Sequence, residues 1–212
     1  MTVETQGRTL VDRVRKILLE PKAEWERIDG EPATVAGLFK GWVLILAAIP
    51  AVAGLIGSLV FGYSFLGFTY RPSVAQALGS AITQYVLSVI GVYLLALLID
   101  ALAPTFAGTK NQVQAMKVAA YSATASWVAG LFNLIPQLSF LAILGLYSLY
   151  LLYLGLPRLM KAPQEKALPY TLAIIVAAVL IALIVGALTA PITGLFVGGP
   201  AMPSIEYSGR LG

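Results

Sequence analysis

Cysteine and histidine are both absent from the 212-residue sequence. Their absence excludes disulfides, thiolate chemistry, zinc sites of the usual kind and the commonest general base. No nucleophile elbow, phosphate loop or paired carboxylate site replaces them, so we predict no catalytic residue, no metal site and no cofactor. An intramembrane enzyme is accordingly the least favoured class of function.

Charge is scarce as well, at 11% of residues against 58% hydrophobic, whereas a typical soluble domain carries about 25% charged residues. A soluble protein with an unusually apolar core would still have charged residues between its apolar segments, because its surface is exposed to water. The apolar runs here extend for about 20 residues, which is the length of a transmembrane helix. The composition therefore predicts an integral membrane protein.

Five hydrophobic segments predict an all-α, polytopic membrane fold with transmembrane helices over residues 35–61, 74–99, 112–135, 138–156 and 168–190. Capping-box spacings mark two helix starts, Ser73 with Gln76 and Thr109 with Gln112. We predict three regions: a cytoplasmic or interfacial segment at 1–34, a membrane domain at 35–190, and a flexible Gly/Pro-rich tail at 191–212 on the non-cytoplasmic side. The charged N-terminus has no signal-peptide core, so the first span is expected to direct insertion.

The distribution of basic residues predicts the orientation, since Lys and Arg of short loops stay on the cytoplasmic side. With five spans and the N-terminus inside, 12 of the 14 basic residues are cytoplasmic, and only Arg71 and Arg210 are not. We therefore expect a membrane protein with a cytoplasmic N-terminus and a non-cytoplasmic C-terminus. Because the basic residues follow membrane side and form no continuous stripe, nucleic acid is not expected as a partner.

The N-terminal segment contains an amphipathic helix at 8–20, with apolar residues at helical spacing on one face. Those residues are Leu10, Val14, Ile17 and Leu18. Two interpretations are open: the helix lies on anionic headgroups, or it packs on the cytoplasmic ends of the bundle. The first assigns a membrane-surface role to Arg8, Arg15, Lys16 and Trp25.

Small residues recur every four positions in the predicted third and fifth spans, which lets a neighbouring helix approach closely. The predicted helix-packing residues are Ser122, Ser126 and Gly130, and then Ala178, Ala182 and Gly186. Membrane lipid, a second copy of the chain or another membrane protein are the partners that such faces would contact.

Polar groups in or near the spans form a candidate polar path, consisting of Asp100, Asn133, Tyr147, Tyr150 and Tyr153. A plainer interpretation competes with it. Asp100 sits at a helix end, where it would meet water or pair with a cytoplasmic lysine, and the uncharged groups would hydrogen-bond between helices.

Several motifs, in order and spacing, resemble bacterial Yip1-domain membrane proteins over about residues 10–190. They are ILLEPKAEW (17–25), GTKNQVQA (108–115), AAYS (119–122), NLIP (133–136), YSLY (147–150) and LGLP (154–157). The resemblance implies a five-span fold with a cytoplasmic N-terminal region. Eukaryotic relatives act in vesicle trafficking with Rab-type GTPases, a partner that does not carry over to a bacterial chain.

The leading hypothesis for function is a non-catalytic inner-membrane protein that organises partner proteins or lipids. The alternative is a small channel, transporter or lipid scramblase whose path is lined by Asp100, Asn133 and the fourth-helix tyrosines.

Overall fold

A computed structural model describes residues 9–65 and 68–196. Over these residues the α-helices are α1 Leu10–Leu19, α2 Pro21–Gly30, α3 Val35–Leu38, α4 Leu44–Val60, α5 Val74–Leu102, α6 Gln112–Ser122, α7 Thr124–Ala129, α8 Tyr147–Leu159 and α9 Gln164–Phe196. A π-helical turn, Phe39–Val43, joins α3 to α4, and 3₁₀ segments cover Ala103–Phe106, Gly130–Leu134 and Pro136–Leu146. Strands β1 Tyr63–Phe65 and β2 Phe68–Tyr70 pair antiparallel in the connection between α4 and α5.

The helical, multi-span class predicted from composition is confirmed. Four helical stretches of the described residues are long and apolar enough to cross a membrane, and they are Val35–Val60, Val74–Phe106, Pro136–Leu159 and Gln164–Ile181. They match four of the five predicted spans. Residues up to Ala177 form one compact unit, and a second unit begins at Ala178.

The segment predicted as the third span is helical but broken. It consists of α6, a turn at Ala123, the short helix α7 and the 3₁₀ segment Gly130–Leu134. The Ser122 hydroxyl donates to the carbonyl of Ala119 at 3.2 Å, and such local back-bonding by serine competes with the helical ladder. Most of α6 and α7 is buried, so protein surrounds this irregular backbone.

Local signals set two of the helix starts. The Ser73 hydroxyl accepts from the backbone N–H of Gln76, whose side chain accepts from the backbone N–H of Ser73, so the predicted capping box is confirmed. The box predicted at Thr109 is wrong. Asn111 caps α6 by accepting from the N–H groups of Val113 and Gln114, since the side-chain amide oxygen of asparagine is as good a cap as a hydroxyl.

The C-terminal helix α9 begins at Gln164 and continues through Pro191 to Phe196. Of the segment predicted as a flexible tail, residues 197–212 lie outside the described residues.

The N-terminal helices pack against the membrane bundle. Ile17 is fully buried, and Leu10, Val14 and Leu18 pack against the core, which favours the bundle-packing interpretation for this face of α1. Outside these four residues, Val11 is 71% and Leu19 68% exposed.

Two of the predicted membrane-surface residues, Arg15 and Trp25, differ sharply in how exposed they are. Arg15 is exposed. Trp25 is only 1% exposed, so its predicted contact with headgroups is a wrong prediction: the helix α2 turns this indole inward, where the ring is packed against Gly155. Lys16 is half-buried, and Arg8 lies outside the described residues.

Candidate functional site

Charged side chains meet where the N-terminal helices join the bundle, at what we call the charged junction: Arg13, Glu24, Asp29, Glu31 and Lys117. Arg13 makes a bidentate pair with Glu31, with both N–O distances at 2.7 Å. Glu24 is buried and lies 3.7 Å from the guanidinium of Arg13. Bidentate guanidinium–carboxylate pairs are among the stronger polar contacts in proteins, because both partners are charged and the geometry is fixed.

Lys117 extends the charged junction from α6. Its Nζ donates to the backbone carbonyls of Ile28 at 2.7 Å and Glu31 at 2.6 Å. Both carbonyls lie at the end of α2, where the negative end of the helix dipole favours a cation. The end of α2 therefore stabilises the ammonium of Lys117, which is only 3% exposed. The same two hydrogen bonds hold α2 against α6.

Asp29 ties α2 to two further elements. Its Oδ1 accepts from the side-chain amide of Gln114 at 3.1 Å, and its Oδ2 accepts from Lys161 at 2.5 Å. Residues from α2, α6 and the α8–α9 connection thus converge on one carboxylate.

Aromatic rings form the apolar side of the junction, around Tyr121. Trp42 packs edge-on against the Tyr121 ring at 4.8 Å between centroids, and Trp25 does so at 6.3 Å. The guanidinium of Arg13 lies 5.7 Å from the same ring, within the range of a cation–π contact. A cavity of about 270 Å³ opens beside these groups, between Leu10 and Gly41.

The guanidinium of Arg13 stays charged in the folded protein. Burial by itself lowers the pKa of Arg13, but the hydrogen bond to Glu31 and the neighbouring Tyr121 and Glu24 outweigh it, so the pKa of the guanidinium lies above its ordinary value. A permanently charged guanidinium cannot act as an acid or base at neutral pH. The arrangement serves to hold α1 and α2 on the bundle.

Sequence reasoning missed the charged junction, although one signal pointed to it. Lys117 lies inside the predicted third span, and an ionisable residue within a span is expected to have a partner. The identity of that partner was not readable, because the carbonyls of Ile28 and Glu31 are more than 80 positions away in the sequence.

Two of the predicted helix-packing residues lie at close contacts within the bundle. A Cβ added at Gly130 would lie 2.4 Å from the Cβ of Pro50 in α4. The Ser126 hydroxyl donates to the carbonyl of Gly145 at 3.0 Å and lies 2.9 Å from the hydroxyl of Ser148.

The other predicted packing residues are placed as follows. Ser122 is buried and Ala178 is half-buried. Ala182 and Gly186 lie in α9, in a part of the helix where the structure describes the backbone only.

The residues of the candidate polar path are dispersed over several helix contacts. The Tyr147 hydroxyl donates to the carbonyl of Leu18 at 3.0 Å. The Tyr153 hydroxyl accepts from Gln164 at 3.4 Å. Tyr150 is 41% exposed, with its ring 5.3 Å from that of Tyr147.

The two remaining path residues lie on other elements. Asp100 is half-buried near the end of α5, and one of its carboxylate oxygens has no hydrogen-bond partner in the described part of the chain. Asn133 is in the 3₁₀ segment after α7, and its backbone carbonyl lies against Gly57 of α4. In the described ranges no hydrogen bond joins Asp100 or Asn133 to any of the three tyrosines. A continuous polar path therefore stays a prediction.

A second candidate surface lies on α5, and we call it the polar face of α5: Gly79, Ser80, Thr83 and Gln84. All four residues are exposed, and their spacing places them on one side of the helix. At 1.5 Å per residue the face lies about 8 to 15 Å along the helix axis from Val74, inside the apolar part of a predicted span.

The polar face of α5 lacks internal partners. Within residues 9–65 and 68–196, the side chains of Ser80, Thr83 and Gln84 make no hydrogen bond. A few residues further along the helix, Ser88 accepts from the indole N–H of Trp127 at 2.9 Å and Tyr85 donates to the carbonyl of Leu44 at 3.1 Å. The polar side chains Tyr85 and Ser88 of α5 are therefore hydrogen-bonded within the chain, and those of the polar face are not.

Metal-ligating side chains do not gather anywhere in the described ranges, where no group of three or more His, Cys, Asp and Glu is found.

Comparison with known proteins places these features in a family context. The family model described as the Yip1 domain matches residues 15–198. Inner membrane protein YohC of Escherichia coli strain K12 is 28% identical over 179 residues, which cover 82% of this chain and 92% of the relative. The protein of the same name in a second E. coli strain matches equally well. No solved structure matches the chain significantly.

Proposed function

The chain belongs to the Yip1 domain family, and on this premise we propose that it is a non-catalytic protein that organises proteins within the membrane, beginning with copies of itself. Its relatives are named inner membrane proteins, and its long apolar helices agree with a multi-pass protein of the bacterial inner membrane. Lateral association through the polar face of α5 is the activity proposed.

The observation that carries the proposal is the unsatisfied polar face of α5. Hydrocarbon offers no hydrogen-bond partner, so polar side chains that face lipid are left without one. In this protein the neighbouring groups on α5 are paired: Ser88 with Trp127 and Tyr85 with Leu44. Ser80, Thr83 and Gln84 have no such partner in the described ranges, and a helix from outside the chain would satisfy them.

A second copy of the chain suits this face. The side-chain amide of Gln84 carries both donors and acceptors, so two glutamines related by a two-fold axis can satisfy each other. Gly79 adds space, since nothing lies within 4 Å of the position of its missing Cβ. Small residues allow transmembrane helices to approach closely, as in small-xxx-small contacts. The spacing of Gly79 and Thr83 is of this kind.

The N-terminal helices would give such an assembly a fixed surface outside the membrane. The charged junction holds α1 and α2 on the bundle through Arg13, Asp29 and Lys117. We propose that this surface faces the cytoplasm, with the N-terminus inside and the C-terminus outside, because that arrangement places 12 of 14 basic residues on the cytoplasmic side.

Disulfide crosslinking tests the proposed contact, and the natural absence of cysteine makes single-cysteine variants clean. We expect Ser80→Cys to yield crosslinked dimers in native membranes under mild oxidation. Ile82→Cys is the matched control, because residue 82 lies about 200° around the helix from residue 80 and is 62% exposed. Equal crosslinking from both positions, or crosslinks only to other proteins, would contradict self-association through this face.

The contribution of the amide can be measured separately. We expect Gln84→Leu to weaken the dimer about fivefold in liposomes, as measured by energy transfer between labelled copies, because an interhelical hydrogen bond contributes roughly 1 kcal/mol in a membrane. Gln137→Leu makes the same chemical change at an exposed position outside α5 and should leave association unchanged.

A further inference from the structure

An apolar groove lies between α1, α7 and the segment that leads into α8. Its volume is about 340 Å³, within the range of about 300 to 1,000 Å³ that small-molecule sites occupy. Leu18, Val128, Ala129, Phe132, Leu144 and Tyr147 are among the residues that line it. Tyr147 has the one polar side chain of the lining, and its hydroxyl already donates to the carbonyl of Leu18 at 3.0 Å. The groove therefore presents apolar side chains and one hydroxyl that is already paired.

The groove opens onto a surface that faces lipid. Leu144, on one of its walls, is 55% exposed, and Phe140 and Ile143 of the same segment are 68% and 65% exposed. This segment belongs to Pro136–Leu159, which is long and apolar enough to cross a membrane. Exposed apolar side chains of a span contact the hydrocarbon of the bilayer. Acyl chains are therefore the molecules that surround the groove.

The side of α1 next to the groove has the character of a helix at the membrane surface. At about 100° per residue, Val11, Arg15 and Leu19 follow Leu18 around the helix at about 20°, 60° and 100°. Val11 is 71% exposed and Leu19 is 68% exposed. Two large apolar side chains that remain this exposed on a charged helix are typical of one that lies in the interface between headgroups and acyl chains. This observation is independent of the groove.

Arg15 supplies a charge beside the groove, between these two apolar residues. It is exposed and makes no ion pair in the part of the chain that the structure describes. An arginine can lay its apolar stem along such a surface and keep its guanidinium among the headgroups. Basic residues at this level attract anionic lipids, and a guanidinium matches the geometry of a phosphate. The charge therefore complements a lipid with a negatively charged headgroup.

The size of the groove decides between a lipid chain and a helix of another protein. One turn of an α-helix with its side chains fills a cylinder about 10 Å wide and 5.4 Å high, or roughly 420 Å³. The groove is smaller than one such turn, whereas an acyl chain is much narrower than a helix. We propose that the groove binds one acyl chain of a phospholipid whose negatively charged headgroup lies against Arg15. This site lies on other elements than the polar face of α5, and each can fail without the other.

Native mass spectrometry of the full chain in detergent tests the proposal with two probes that have the same acyl chains. Phosphatidylglycerol is anionic and phosphatidylethanolamine has no net charge. We expect the first lipid to bind about fivefold more tightly when it is phosphatidylglycerol, the effect of one basic residue on an anionic lipid. Equal affinities for the two lipids, or no bound lipid at all, would overturn the proposal.

A filled groove should lose the lipid whatever its headgroup. We expect Leu144→Trp to weaken binding of both lipids about fivefold or more, because the larger side chain takes the place of chain atoms that contact the walls. Leu146→Trp is the matched control, since Leu146 is 60% exposed and does not line the groove. Val128→Trp fills the groove from α7 and should act like Leu144→Trp. The proposal fails if Leu144→Trp binds lipid as tightly as Leu146→Trp, and this comparison holds even if Val128→Trp does not fold.

The headgroup contact has its own variant. Arg15→Gln should abolish the preference for phosphatidylglycerol and leave the binding of phosphatidylethanolamine unchanged. Lys16→Gln removes the same charge about 160° around the helix from Leu18 and should keep the preference. Loss of the preference in both variants would contradict a contact at Arg15. If Leu144→Trp instead weakens dimer formation while lipid binding is unchanged, the groove is a contact between copies and the proposal is overturned.

Discussion

The helix α5 and the segment Gln112–Leu134, both predicted as spans, are built in opposite ways. α5 is one regular helix of 29 residues, and only 22% of its most apolar window is buried within the chain. The segment of α6, α7 and 3₁₀ turn is interrupted twice, yet most of α6 and α7 is buried. The regular helix is the one that meets lipid, and the irregular one is enclosed by protein.

The difference follows from the solvent. Lipid cannot satisfy a backbone N–H or carbonyl, so a span that faces it has to keep an unbroken helical ladder. An enclosed segment can depart from the ladder, because neighbouring groups supply partners. The backbone N–H of Ser126, for example, donates to the Ser148 hydroxyl at 3.0 Å. The 3₁₀ segment Pro136–Leu146, which is mostly exposed, does not follow this contrast.

The largest expected effect breaks the contact between α4 and the enclosed segment. A Cβ added at Gly57 would lie 2.3 Å from the backbone carbonyl oxygen of Asn133, and backbone cannot give way as a flexible side chain does. We expect Gly57→Ala to destabilise the protein by about 3 kcal/mol, measured by unfolding in mixed micelles. The matched control is Gly91→Ala on α5, where nothing lies within 4 Å and a gain of about 0.5 kcal/mol is expected. Similar losses of stability from Gly57→Ala and Gly91→Ala would contradict the proposed difference between the enclosed segment and α5.

The next effect concerns the charged junction. Arg13→Gln leaves the buried carboxylate of Glu24 without its nearby guanidinium from α1 and removes the bidentate pair with Glu31. We expect a loss of about 2 kcal/mol, reduced from the value for a fully buried pair because Glu31 is partly exposed to solvent. Arg15→Gln on the exposed side of α1 should change stability by less than about 0.5 kcal/mol. Equal effects would mean that α1 is not held by the junction.

The smallest effect separates two tyrosines of α8. Tyr147→Phe removes the hydroxyl that donates to Leu18, and about 1 kcal/mol of stability should be lost with it. Increased protease cleavage within α1 would report the same loss locally. Tyr150→Phe should be silent in both measurements, because its ring is exposed and its hydroxyl makes no hydrogen bond in the described ranges. A flux assay that responds to Tyr150→Phe alone would instead support the predicted polar path.

Local sequence signals predicted much of the fold. The capping box at Ser73 and Gln76 marked the start of α5 correctly, and the apolar spacing in α1 identified the face that packs, with Ile17 fully buried. These features depend on residues within a turn or two of each other. The break at Ala123 was not predicted, because the partners of the nearby Ser126, the Ser148 hydroxyl and the Gly145 carbonyl, lie on α8 and its preceding 3₁₀ segment, outside the local window.

The candidate sites were less predictable. Ser126 and Gly130 were predicted as packing residues, but the groups that lie against them, Gly145 and Pro50, could be identified only from the folded chain. Trp25 was assigned to the membrane surface because tryptophan is common there. Its burial depends on the absence of a side chain at Gly155, more than 100 positions away in the sequence.

The sequence by itself determined that the chain lies in a membrane, where its main spans fall and which face of α1 is apolar, because these depend on composition and on short periodic spacings. Only the tertiary structure decided which charges are enclosed, which glycines lie against backbone and which polar groups of α5 are left without partners. The hydrogen bond between Trp42 and Thr124 shows the reason, since it joins residues 82 positions apart. Contacts of that range arise from how helices pack, and no local pattern of residues encodes them.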